Sequence, residues 1–200
     1  MGDDRPLIPP HGGYRDLKAF QLAVIIHDGT VVFTKRFVDP RSRTVDQMVQ
    51  AARSGKQNIA EGSQASAASK KTELRLTQVA RASLEELLLD YEDYLRQNSL
   101  SLWEKDHLKS VFIRKLQGSS FEAYRVYIEE KSPETAANTL ICLIHQANYL
   151  LDRLMRSLEQ EFVEQGGFSE KLYRVRVAAR KRAAEEGESG RSDRSDESDR

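Results

Sequence analysis

From Ala137 to Leu158 the chain sets Ala137, Leu140, Ile144, Ala147, Leu151, Leu154 and Leu158 at alternating steps of three and four residues. That spacing lines up apolar side chains on one face of an α-helix, whereas a strand would send neighbouring residues to opposite sides. Ser132-Pro133 marks the start, because proline suits the first helical position. At ~1.5 Å per residue, residues 133 to 164 span about 48 Å. A stripe of that length is stable in water only when other helices cover it. The stretch therefore predicts an all-α protein with partner helices of similar length.

Three such partners are legible upstream. Residues 1 to 13 carry Pro6, Pro9, Pro10, Gly12 and Gly13 and form an irregular lead-in. From Tyr14 to about Phe37, Leu17, Phe20, Val24, His27 and Val31 mark one face of a first helix. The same region also reads as a hairpin, with β-branched runs on both sides of Asp28-Gly29. No further strand candidate exists to pair with it, and an isolated hairpin is marginal. The helix is the better reading, with Gly29 costing about 1 kcal/mol relative to alanine and leaving room for a neighbouring helix. Asp39-Pro40 ends it, since the residue before proline is pushed out of the α region.

A second helix starts near Thr44, with Val45, Met48, Ala52, Gly55 and Ile59 on its face. The small residues at 51, 52 and 55 predict close contact with a neighbour. Gly62 is expected to end it in the left-handed conformation. Ser66 or Ser69 caps a third helix, whose stripe is Ala80, Leu84, Leu87, Tyr91 and Leu95 and whose end is Gln97-Asn98-Ser99. Ser101-Leu-Trp-Glu104 has the form of a capping box opening a helix to about Leu116. Gly118-Ser119-Ser120 breaks that helix, and Phe121 to Lys131 reads as a short one.

The expected architecture is an antiparallel up-down four-helix bundle over residues 14–165, with a helical insertion at 98–132. After the hinge at Gly166-Gly167 comes a basic amphipathic suffix helix over 166–186. The last residues, 187–200, are low-complexity and have no apolar side chain to bury.

The chemistry that a bundle can host is mostly missing. A di-metal site needs two Glu-x-x-His motifs and two further carboxylates, and only Glu104-x-x-His107 is present. No metal site or cofactor is expected. The single Cys142 rules out an internal disulfide framework, and its place beside the apolar stripe makes it an inert core residue. There is no phosphate-binding glycine loop and no nucleophile motif, so an enzyme is not expected. No apolar run approaches the ~20 residues of a membrane span. The N-terminus resembles neither a secretory signal nor a myristoylation site. A cytoplasmic protein with no membrane partner is the expectation.

Charge carries more information. Lys plus Arg equals Asp plus Glu at 31 each, so any attraction to nucleic acid must be local. From Arg41 to Arg81 there are eight basic residues against three acids, and from Ala82 to Leu95 five acids and no base. The candidates for a phosphate-binding surface are Arg53, Lys56, Lys70, Lys71 and Arg75. A second set, Arg174, Arg176, Arg180, Lys181 and Arg182, lies in the suffix. Neutralisation by neighbouring helix ends explains the asymmetry equally well. At the junction of the second and third helices, Asn58, Glu61 and Gly62 make a structural corner, with Asn58 and Glu61 expected to bond freed backbone groups at the helix end.

Three stretches carry a resemblance. Residues 14 to 23 (YRDLKAFQLA), Asn58 to Gly62 (NIAEG) and Ser83 to Leu87 (SLEEL) are similar to signatures of the four-helix-bundle proteins encoded in intervening sequences of bacterial 23S ribosomal RNA genes. The accessory variability proteins of diversity-generating retroelements belong to the same superfamily. The likeness covers residues 14 to 97 best. The insertion and suffix resemble that family's longer, suffix-bearing branch. The resemblance implies a non-enzymatic bundle that forms homo-oligomers, pentameric in the retroelement branch. It also implies binding to nucleic acid, RNA more than DNA, or to a reverse transcriptase. A protein-only scaffold that recruits an enzyme partner is the alternative.

Overall fold

The computed structural model describes residues 13–165, and beyond them 170, 172–181 and 183–184. Among these residues the fold is all-helical, with no strand. A 3-10 turn at Gly13–Asp16 leads into α1 (Lys18–Phe37), followed by α2 (Arg43–Ala65), α3 (Lys70–Gln97), α4 (Leu108–Leu116) and α5 (Pro133–Gln165). The helix through Asp28-Gly29 is unbroken; Gly29 and Thr30 are buried there, and among the described residues there is no sheet for a hairpin to join.

The caps are local and polar. Ser42 Oγ accepts from the Thr44 amide at the start of α2, and Ser69, rather than Ser66, accepts from Thr72 at 3.2 Å to open α3. Ser132 does the same for Thr135 ahead of Pro133. At its far end α3 closes with Leu100 N–H donating to Leu95 O and Ser99 held at φ 55°, the paired arrangement in which a left-handed residue reverses the chain.

Each long helix packs on two others: α2 on α1 and α3, α5 on α1 and α3. Residues early in α3 meet residues late in α5, through Lys70–Glu161 and Arg81–Asp152. Late α2 likewise meets early α3, where a Cβ on Gly62 would stand 3.3 Å from Glu73 O. Small residues set these approaches. A Cβ on Gly29 would meet Leu140 Cδ2 at 2.6 Å, and one on Gly55 would meet Leu84 Cδ2 at 2.8 Å. The core runs along the helices through Ile26, Phe33, Met48, Leu84, Leu87, Tyr91, Leu140 and Leu151.

Several expectations are corrected. Gly62 does not end α2 in a left-handed turn; the helix continues to Ala65, and Gly62 is instead a point of close helix approach. The buried side of α1 is centred on Ala19, Leu22, Ala23, Ile26, Thr30 and Phe33. The expected face of Leu17, Phe20, Val24, His27 and Val31 is its half-buried flank. Two packed neighbours bury a wider arc than a single stripe predicts. Threonines are admitted there because Thr30 Oγ1 donates to Ile26 O and Thr34 Oγ1 to Thr30 O.

The insertion departs most. Ser101 to Glu104 does not cap a helix. Its backbone docks on the start of α5, with Trp103 N–H donating to Asn138 Oδ1 at 2.7 Å and Ser101 O accepting from Asn138 Nδ2. α4 begins only at Leu108, capped by His107 Nδ1. The expected helix over Phe121–Lys131 resolves into a 3-10 turn at Phe121–Ala123 and one π turn at Val126–Glu130. Arg36 Nη1 ties the latter to α1 by donating to Ile128 O. Covered by these segments, α5 is buried on all sides from Ala136 to Ile144. Of the suffix, residues 172–180 are helical and, Leu172 apart, exposed. No helix of the described residues is long and apolar enough to cross a membrane.

Candidate functional site

The basic residues around the α2–α3 corner divide by what lies beside them. Lys70 stands in the first turn of α3, where its Nζ reaches Glu73 Oε2 at 3.2 Å and Glu161 Oε2 at 3.1 Å. Burial pushes the Glu73 carboxyl up, against the pull of Lys70. Burial also lowers Lys70, but its bonds and charge interactions with Glu161 and Glu73 outweigh that and leave it raised. Lys70 is therefore a neutralised link between α3 and α5. Arg81 is used in the same way, its Nε 2.9 Å from Asp152 and its Nη1 3.1 Å from Glu85. Of the five acids after Ala82, Glu85 is paired with Arg81 and Asp93 with Arg96.

Arg53, Lys71 and Arg75 differ. All three are exposed, and among the described residues none has an acidic partner. Lys71 and Arg75 stand at the corner end of the α2–α3 seam. Arg53 lies nine residues before Gly62 on α2, about 13 Å along the axis at ~1.5 Å per residue. Lys56 turns toward α1, its Nζ 3.4 Å from His27 Nδ1. Arg53, Lys71 and Arg75 are thus exposed on α2 and α3, Lys56 lies beside His27 of α1, and Lys70 is taken up by carboxylates. Arg174, Arg176, Arg180 and Lys181 are exposed on the C-terminal helical segment; Arg182 lies outside the described residues.

The corner itself is built differently from expectation. Asn58 does not serve the end of α2. Its Nδ2 donates back to Ser54 O and Ser54 Oγ, and Ser54 Oγ lies 2.9 Å from Ser83 Oγ across the seam. Asn58 and Ser83 are thus joined through Ser54. Glu61 is exposed and Gly62 buried against α3. These residues hold two helices together.

A second feature was not legible in the sequence. The insertion forms one side of a half-open cavity of about 770 Å³ against the start of α1 and the middle of α5. Its walls include Leu22, Trp103, Tyr124, Ile141 and Leu150, with Ser110, Arg114 and Cys142 among the polar lining. Ser110 Oγ is buried beside the Cys142 thiol, a weak acceptor, and no well-formed hydrogen bond satisfies it. Burial pushes the Cys142 thiol up, with Ser110 and Arg114 opposing, which keeps it protonated. No periodicity announces such a space, since its walls come from segments more than a hundred residues apart. Among the described residues no group of His, Cys, Asp and Glu is gathered to hold a metal.

Comparison of the chain with protein-family models, curated proteins and solved structures finds no match.

Proposed function

We propose that this chain is a non-enzymatic, cytoplasmic, antiparallel up-down four-helix bundle that self-associates and binds structured RNA through the outer α2–α3 face. The observation that carries the reading is the contrast among its cations. Lys70 and Arg81 are held by carboxylates, whereas Arg53, Lys71 and Arg75 are exposed without an acidic partner. Exposed cations of this kind exchange counterions for phosphates at little structural cost. The resemblance of NIAEG and SLEEL to the intervening-sequence bundle proteins supports the same reading, and supports membership of that family's suffix-bearing branch. A homo-oligomer, pentameric as in the retroelement branch, would multiply a modest patch into a continuous one. The exposed suffix cations Arg174, Arg176, Arg180 and Lys181 extend it.

The test is fluorescence anisotropy with a labelled RNA hairpin across a salt series. Wild-type affinity should fall steeply with salt. Arg53→Glu/Lys71→Glu/Arg75→Glu should abolish binding while leaving helicity intact, and single changes should flatten the slope of log affinity against log salt by about 0.7–0.9 per lost contact. Truncation of residues 167–200 separates the two basic sets: binding lost only on truncation would sink the α2–α3 assignment.

A protein-only scaffold is the second reading, with a reverse transcriptase or another enzyme as the recruited partner. It is favoured by the exposed Val79 and Leu89 on α3 and Phe162 and Val163 on α5. It predicts no RNA binding by the wild type and a change of subunit assembly on Leu89→Lys.

A further inference from the structure

The cavity beneath the insertion has the makings of a binding site that the RNA reading does not use. It lies on the α1–α5 side of the molecule, away from the α2–α3 face. Its volume, about 770 Å³, falls within the range of pockets that enclose small organic ligands. The inner wall is apolar, from Leu22, Trp103, Tyr124 and Ile141. Such a surface accepts a hydrocarbon body.

Two polar groups line it beside Cys142. Ser110 is 1% exposed and its hydroxyl has no satisfied hydrogen bond; buried polar groups of that kind are uncommon and call for a partner. Arg114 lies one helical turn beyond Ser110 on α4 and is close enough to Cys142 to act on the same thiol. Its guanidinium donates to the Lys105 carbonyl and has no carboxylate partner among the described residues. Gln146 holds the Arg114 carbonyl, which fixes this end of α4 over α5. Glu92 and Glu104 also line the space, beside Lys18 and Lys105, so that with Arg114 the lining carries three cations and two carboxylates. A carboxylate can accept from the Ser110 hydroxyl and from the guanidinium together, the kind of charge-assisted pairing that gives both strength and direction.

We propose that this pocket binds a small amphipathic carboxylate, its headgroup held by Ser110 and Arg114 and its apolar body against Trp103, Tyr124 and Ile141. The insertion is then one wall of a ligand site as well as a cover for α5.

Trp103 is the sole tryptophan of the chain and lines the cavity, so its emission reports occupancy directly. Octanoate is the probe and 1-octanol its neutral counterpart. Octanoate should shift Trp103 emission saturably, raise the melting temperature, and bind about tenfold or more tightly than 1-octanol. Arg114→Gln should erase that preference by weakening octanoate alone. Ser110→Ala should weaken octanoate about three- to tenfold without lowering the melting temperature of the free protein. Circular dichroism checks that both variants keep their helices. The proposal is overturned if neither probe gives a saturable response up to millimolar concentration, if both bind alike, or if Arg114→Gln affects both equally. Binding of 1-octanol alone also overturns it, since the apolar wall would then act without the head site.

Discussion

Thr30→Val tests whether the buried polar pair at the centre of the molecule is a requirement or an ornament. Tyr91 is fully buried, and its hydroxyl donates to Thr30 Oγ1 at 2.9 Å. Thr30 Oγ1 in turn donates to Ile26 O at 2.7 Å. Valine keeps the shape and the β-branching of threonine, so helix propensity and packing hardly change. What changes is that the Tyr91 phenol loses its acceptor inside a dry core, which costs about 1–3 kcal/mol. Tyr91→Phe removes the same bond from the other side. Thr30 then keeps its bond to Ile26 O, so the cost is about 0.5–1.5 kcal/mol. In the double variant no donor is stranded, and the loss should be smaller than the sum of the two single losses. Urea unfolding followed by circular dichroism measures all three, with a common denaturant slope as the check that only the folded state has changed. At about 2–4 °C per kcal/mol for a chain of this size, the Thr30→Val effect is also visible in thermal melts. The reasoning fails if Thr30→Val costs no more than Tyr91→Phe, or if the two losses simply add.

Other substitutions probe the helix seams and their charges. Gly55→Leu should destabilise by about 1–3 kcal/mol through overfilling, because a Cβ already comes within 2.9 Å of Leu84 Cγ; an unchanged urea midpoint would refute the close approach. Lys70→Glu sets a third carboxylate beside Glu73 and Glu161 and should cost about 1–3 kcal/mol, less than for a fully buried pair because Lys70 is partly exposed. Lys71→Glu, one residue on and exposed, should be near neutral, so equal losses would contradict the assignment. Burial raises the Asp90 carboxyl, with Glu86 and Asp93 adding to the effect. The folded state therefore binds that proton more readily, and Asp90→Asn should stabilise at neutral pH. The gain should vanish as pH falls below the ordinary aspartate value, where both states are protonated, and a gain that persists in acid would disprove the linkage.

The charge map shows where local reasoning about the basic corner stops. Helix-dipole logic makes an acid at the start of α3 welcome, and on that basis alone Lys70→Glu would be harmless. The two carboxylates that reverse this expectation belong to Glu73 and to Glu161, the latter 91 residues away on α5. Sequence proximity had grouped Lys56 and Lys70 with Arg53, Lys71 and Arg75. Helix packing sends Lys56 toward α1 and Lys70 toward α5.

What the sequence by itself determined is the set of long helices and most of their ends. The 3-4 stripes of α2, α3 and α5, the start near Thr44, a serine cap ahead of α3, the cap at Ser132 and the stop after Gln97 all depend on residues within a turn or two of each other. Local hydrogen bonds and helical periodicity are therefore enough to place them. Whatever depends on a distant neighbour was decided by tertiary structure. Gly62 lies inside a helix because Glu73 passes close to it, although glycine alone is as good a stop signal. Ser101 to Glu104 carries a capping-box pattern, yet its backbone bonds to Asn138 and so cannot begin a helix. The buried arc of α1 is wider than its strongest stripe because two helices cover it. The cavity and its unsatisfied Ser110 exist only because residues near 22, 110 and 142 meet, and no local pattern encodes a space between segments so far apart along the chain.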